Sequence, residues 1–158
     1  MKHFLIIGNK NALFWKGNFT MFMEGTLKWG YNRINKFRLP DDAEKWKWMT
    51  TDGRKLCNLQ GTGRWYTDLP VERVGEILPY SYNDCQKFDF FDAVNTDDRY
   101  SIPDTDGIVG VPVDFISIYS PEQFEIVGML MNGNDKYDFA QPYVGGKKKY
   151  TRILIKRK

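Results

Sequence analysis

Few side chains in this sequence are of the types that carry out nucleophilic or metal chemistry. His3 is the single histidine and stands beside the N-terminus. A zinc site wants three or four Cys/His ligands at short spacing, and Ser-His or Cys-His catalysis needs a positioned imidazole. Cys57 and Cys85 are the two cysteines. Without an export signal they read as buried thiols, not as a disulfide framework. Asp104-Thr105-Asp106-Gly107 hints at a calcium loop but lacks the first ligand and the closing Glu, so it reads as a turn. Gly145-Gly146-Lys147 is followed by Lys148, which excludes a phosphate loop, and Gly61-Thr62-Gly63 lacks the third glycine of a dinucleotide fingerprint. No acidic residue is followed two positions later by Lys, the spacing of a metal-dependent nuclease. The residues by themselves define no catalytic and no metal site.

Charge points instead to a polyanion. The 23 basic and 20 acidic residues give a net charge of +3. Lys147, Lys148, Lys149, Arg152, Lys156, Arg157 and Lys158 follow Gly146 with no acid among them. The stretch before them carries 16 basic against 20 acidic residues, a net of −4. Such an end either solvates the chain or meets phosphates, where each Lys or Arg releases condensed counterions. Arg64-Trp65-Tyr66 adds a cation among aromatics, either core residues or a second contact.

These residues need elements to hold them. The 158 residues are 42% hydrophobic and 16% aromatic, enough for one domain-sized core. No apolar run approaches the ~20 residues of a membrane helix. The apolar run after Lys2 is too short for a secretory signal, so a cytoplasmic chain is expected. Phe4 to Ile7, ended by Gly8, reads as a strand buried on both faces, as in a parallel sheet covered by helices. Ala12 to Glu24 reads as a helix whose apolar face is Ala12, Trp15, Phe19, Phe22 and Met23, stopped by Gly25.

Strands are further expected at Thr26–Tyr31, either side of Thr51-Asp52-Gly53, at Arg64–Thr67, Ile108–Ile118, Phe124–Met131 and Tyr150–Ile155. Val71–Leu78 reads as a short helix, and Phe88–Val94 as a strand or an extended arm. Ser120-Pro121-Glu122-Gln123 has the grammar of a capped turn. The fold class is α+β (mixed α/β), strand-rich, in a single piece over 1–158.

Several blocks carry a family resemblance. Asp106-Gly107-Ile108-Val109-Gly110-Val111-Pro112 and Tyr119-Ser120-Pro121-Glu122-Gln123-Phe124-Glu125-Ile126 closely resemble a stretch of the EcoRI-type adenine-specific DNA methyltransferases. Phe4 to Ala12, Lys28-Trp29-Gly30-Tyr31-Asn32, Arg64 to Leu69 and Tyr150 to Lys158 resemble other blocks of that family, in the same order. The resemblance implies the C-terminal part of a Rossmann-like class I methyltransferase sheet, with residues 1–34 at its end, and additional β structure over 35–158. It also implies N6-adenine methylation from S-adenosylmethionine after base flipping, within restriction-modification.

The family's catalytic Asn/Asp-Pro-Pro-Phe motif and cofactor strand lie upstream of the block that Phe4 opens, and no Asn-Pro-Pro or Asp-Pro-Pro occurs here. The expectation is therefore a truncated chain, inactive alone, that binds no S-adenosylmethionine. Its partners would be double-stranded DNA and either an N-terminal catalytic half or a second copy meeting Phe4–Ile7. Asn9 and Asn11 would face the cleft of the intact enzyme, or simply turn the chain and cap a helix. Lys147, Lys148, Lys149, Lys156, Arg157, Lys158 and Arg64 are the candidate DNA contacts. The alternative is a stand-alone DNA-binding or protein-interaction module without catalysis.

Overall fold

A computed structural model of the chain describes residues 2–30, 36–58, 63–71, 74–81, 85–130 and 141–158. Tyr31, Asn32, Leu59, Gly61, Thr62 and Met131 lie outside them. The chain forms two compact units, Met1–Glu72 and Arg73–Lys158.

The first unit runs through β1 (Leu5–Asn9), a 3-10 segment (Lys10–Phe14), α1 (Lys16–Met23), β2 (Lys28–Trp29), β3 (Lys36–Arg38), β4 (Trp48–Met49), β5 (Lys55–Asn58) and β6 (Gly63–Thr67). The helix expected over Ala12–Glu24 is thus broken. Trp15 takes extended backbone (φ −70°, ψ 132°) between the two segments, and the Asn18 amide donates to the Ala12 carbonyl at 2.8 Å across the joint. Trp15 is left exposed and Leu13 is buried instead, while Phe22 is buried as expected. Gly25 does end the helix, at φ 70°, where a side chain would be strained. The amides of Thr26 and Leu27 both donate to the Met21 carbonyl there.

Strand order in the main sheet of this unit is β1-β6-β2, with β6 antiparallel to both neighbours. Ile6 and Trp29 flank Tyr66 in register, and side chains opposite each other share a face. Phe22 of α1 closes that face, edge-on to Trp29 and to Tyr66 with both centroids at 6.0 Å.

The reading of Phe4–Ile7 as doubly buried fails. Leu5 and Ile6 are each 55% exposed and Ile7 51%, because among the described residues β1 is an edge strand paired only with β6, and antiparallel. A second sheet, ordered β3-β5-β4, contains the expected hairpin, turned at Gly53 (φ 80°).

The second unit contains β7 (Tyr80–Ser81), β8 (Gln86–Lys87), β9 (Val94–Asn95), β10 (Ile102–Pro103), β11 (Ile108–Pro112), a 3-10 segment (Val113–Ile118), β12 (Phe124–Leu130), β13 (Tyr143–Val144), β14 (Lys147–Lys148) and β15 (Arg152–Arg157). Its main sheet is ordered β12-β15-β11-β9-β8. The basic end of the chain is therefore a central strand. Ile153, Leu154 and Ile155 are fully buried, each worth about 1.5–3 kcal/mol of hydrophobic stabilisation.

Three local expectations change in this unit. The strand expected over Ile108–Ile118 stops at Pro112, and the 3-10 segment after it buries Phe115, Ile116 and Ile118. Phe115 then meets Phe124 edge-on at 5.8 Å. Among the described residues no helix covers Val71–Leu78. Its end is clamped by Gln123, whose amide oxygen accepts from the Leu78 amide (2.8 Å) and whose Nε2 donates to the Leu78 carbonyl (2.7 Å). Gln123 thus bridges two segments, and the Ser120 hydroxyl donates to the Gly75 carbonyl at 3.4 Å. Phe88–Val94 is mostly bends, with only its last residue in β9.

No helix among the described residues is long and apolar enough to cross a membrane.

Candidate nucleic-acid interface

In the first unit the candidate residues gather where β1 ends. The Asn9 side-chain oxygen accepts from the Asn11 amide at 2.9 Å, and the Asn9 carbonyl accepts from the Tyr66 hydroxyl at 2.7 Å. Burial raises the Tyr66 pKa, so the phenol stays a neutral donor. Both asparagine side chains are exposed, and Asn9 serves as the cap of the 3-10 segment. Gly8 packs closely in the same place, where a Cβ would lie 3.1 Å from the Tyr66 ring. Arg64 is half-buried, with its guanidinium 5.6 Å over the Trp29 ring and Nη1 donating to the Gly63 carbonyl. It stacks within its own unit, and Tyr66 is core.

In the second unit the six tail cations named as candidate contacts, all but Arg152, fall into two sets. Lys147 and Lys148 form β14, exposed, on a hairpin turned at Gly145 and Gly146 (φ 55° and 73°). The Asp89 carboxylate accepts both glycine amides, at 2.8 and 2.7 Å, and so fixes the turn that presents the lysines. Lys156 is also exposed, beside Glu125 in the ladder.

The other three are committed to the fold. Lys149 Nζ lies 2.7 Å from Asp97, and chiefly this hydrogen bond holds the Asp97 carboxyl below its ordinary pKa. Arg157 pairs with Asp104 at 2.6 Å and stacks over the Tyr80 ring at 4.8 Å. Lys158 Nζ donates to the Pro121 carbonyl at 2.5 Å. Sequence spacing treats these cations alike; only the partners, distant in the chain, separate them.

Sequence reasoning missed the face made by Lys36, Arg38 and Trp48. The one signal for it was lysines alternating with Trp46 and Trp48, read only as the flank of a hairpin. Among the described residues no group of three or more His, Cys, Asp or Glu is arranged to hold a metal. Cys57 and Cys85 are half-buried, not fully buried, and form no disulfide.

Comparison with known proteins fixes the context. The family described as adenine-specific methyltransferase EcoRI matches residues 1–158. The Type II methyltransferase M.EcoRI of Escherichia coli is 31% identical over 170 residues, covering 99% of this chain and 51% of the relative. The Type II methyltransferase M.MgeORF184P of Mycoplasma genitalium is 29% identical over 182 residues, covering 99% of this chain and 57% of the relative. M.MpnI of Mycoplasma pneumoniae, also a Type II methyltransferase, is 27% identical over 183 residues, with coverage of 99% and 57%. No solved structure matches. The chain spans about half the length of the curated relatives it matches. It belongs to the EcoRI family of adenine-specific methyltransferases.

Proposed function

We propose that this chain is the C-terminal part of an S-adenosylmethionine-dependent, adenine-specific DNA methyltransferase of a restriction-modification system, and that alone it does not methylate. The observation that carries the reading is the family match over residues 1–158 in a chain half as long as its relatives. The sequence has no Asn/Asp-Pro-Pro to hold the adenine amino group. Residues at the end of β1 do not suit the cofactor either. Gly8–Asn11 with Tyr66 and Arg64 offers no carboxylate for a ribose, and the two Asn9 oxygens already accept from the Asn11 amide and the Tyr66 hydroxyl. No step of methyl transfer is assigned to these residues.

What the chain supplies is the end of a sheet and a basic surface. β1 and β2 run parallel to each other on either side of β6, with α1 in the crossover between them. That is how the end of a Rossmann-like sheet would be built, with Gly63–Thr67 added to the stretch 1–34. The open side of β1, with exposed Leu5, Ile6 and Ile7, is where the catalytic half would continue the sheet. Lys147, Lys148 and Lys156 supply charge for duplex DNA.

Titration calorimetry with S-adenosylmethionine tests the reading. The chain alone should give no binding heat and should transfer no labelled methyl group to adenine in a duplex. A micromolar isotherm, or transfer by this chain, overturns it.

A further inference from the structure

The small sheet β3-β5-β4 has two unlike faces. Ladder partners share a face, and neighbours along a strand alternate. The pairs Phe37 with Cys57 and Lys55 with Met49 therefore define one face. Phe37 packs there against Trp65 of β6, with centroids 6.2 Å apart, so this face meets the main sheet at Phe37, while Met49 on the edge strand β4 stays 53% exposed. Arg38, Leu56 and Trp48 stand in one row of the opposite face, with Lys36 and Asn58 beside them.

That outer face is aromatic and cationic together. Trp48 is 39% exposed, whereas the neighbouring Trp46 lies under Lys55 of the other face, with Nζ 4.7 Å from its ring. Lys36 Nζ lies 5.6 Å and Lys47 Nζ 4.9 Å from the centre of the Trp48 ring. Both lysines are exposed, and among the described residues neither pairs with a carboxylate. Arg38 has only an exposed partner, Asp41, at 3.3 Å, a pair of the kind worth little in water. Lysines held over a ring keep the indole covered by charge while no ligand is present.

We propose that this face is a duplex-DNA contact, in which Lys36, Arg38 and Lys47 move onto phosphates and the uncovered Trp48 ring packs against the nucleic acid. The proposal rests on the methyltransferase reading and extends it to a surface remote in sequence from the basic end. Charge selects the ligand: a polyanion draws cations off an indole, and the base edges and thymine methyl groups of a duplex groove offer the indole apolar contact.

The test is fluorescence anisotropy of a labelled mixed-sequence duplex with the full chain, titrated at several salt concentrations. Replacing Lys36 and Lys47 by Ala should reduce the slope of log affinity against log salt by about 2, near 0.9 for each phosphate left without its lysine. Trp48→Ala should weaken binding about tenfold at an unchanged slope, the worth of an aromatic side chain partly buried on binding, with Trp48→Phe retaining most of the affinity. Should Trp48→Ala fail to fold, Trp48→Phe and the double lysine variant still decide, together with quenching of indole fluorescence by DNA. Wild-type affinity and slope in the lysine and tryptophan variants overturn this contact while leaving the methyltransferase reading in place. Absence of salt-dependent duplex binding by the unaltered chain overturns DNA binding by the fragment, and this contact with it.

Discussion

Arg152 Nη2 lies 2.5 Å from Asp97 Oδ1, joining the central strand β15 to the segment that follows β9. The guanidinium is buried and nearly saturated: Nε donates to the Asn95 side chain at 2.8 Å and Nη1 to the Tyr150 carbonyl at 3.1 Å. One cation of a basic tail is thus an internal brace. Its carboxylate partner is mostly exposed and also holds Lys149.

Removing that carboxylate strands a buried charge. Asp97→Asn should destabilise the chain by about 1–2 kcal/mol near neutral pH, less than the ~3 kcal/mol of a fully buried pair because water screens Asp97. The Lys149 hydrogen bond, followed by further contacts from Asn95 and Arg152, lowers the Asp97 pKa in the folded state. Its contribution is therefore complete above the ordinary carboxylate pKa of ~3.9 and is lost as pH falls through the lowered value. Thermal melts of wild type and variant should differ at pH 7 and converge in acid. A difference constant down to the most acidic melts would refute the linkage.

Gly110 gives a steric prediction. A Cβ there would lie 2.5 Å from Phe88 Cζ and 2.6 Å from Cε2, under the cluster of Phe88, Ala93, Leu130, Val144 and Leu154. Gly110→Ala should cost about 1–3 kcal/mol in denaturant melts. Phe88→Leu in the same chain should recover part of the loss, since it removes the ring that clashes. Equal stability of wild type and Gly110→Ala would show that the ring moves aside freely.

Local signals in the sequence were reliable where the chain itself makes the structure. The Asp-Gly turn at Gly53, the stop at Gly25 and the strand expected over Tyr150–Ile155, found at Arg152–Arg157, are legible from residues close in sequence. What escaped depends on distant partners. Leu5, Ile6 and Ile7 have the composition of a buried strand, yet pairing with residues 63–67 alone leaves them on an edge. Val113–Ile118 looks like a continued strand, and Pro112 with packing of Phe115 on Phe124 makes it a 3-10 turn. At the candidate interface the count of cations was legible, while their availability was not. Asp104, Asp97 and Pro121 claim Arg157, Lys149 and Lys158 from far along the chain.

That division predicts unequal effects within the basic end. Lys147→Ala with Lys148→Ala should lower the salt slope of duplex binding by about 2 and leave the melting temperature nearly unchanged. Arg157→Ala should change the slope little and destabilise the fold, since Arg157 loses Asp104 and the Tyr80 ring. Anisotropy and melts on the same preparations check both halves. Equal slopes for the two variants would mean that DNA recruits all the cations alike.

The edge at β1 makes the remaining prediction. Among the described residues its outer side has no partner strand, and Leu5, Ile6 and Ile7 expose apolar surface there. Exposed apolar edges recruit further strands unless a charge blocks them. The chain should therefore self-associate as its concentration rises. Ile6→Lys should shift it towards monomer, at a folding cost within about 0.5 kcal/mol because the side chain is already half in water. Sedimentation velocity over a concentration series reads both effects. A wild-type chain that stays monomeric at the highest concentration rejects the edge as an association site. Equal association by wild type and Ile6→Lys would move the contact elsewhere on the molecule.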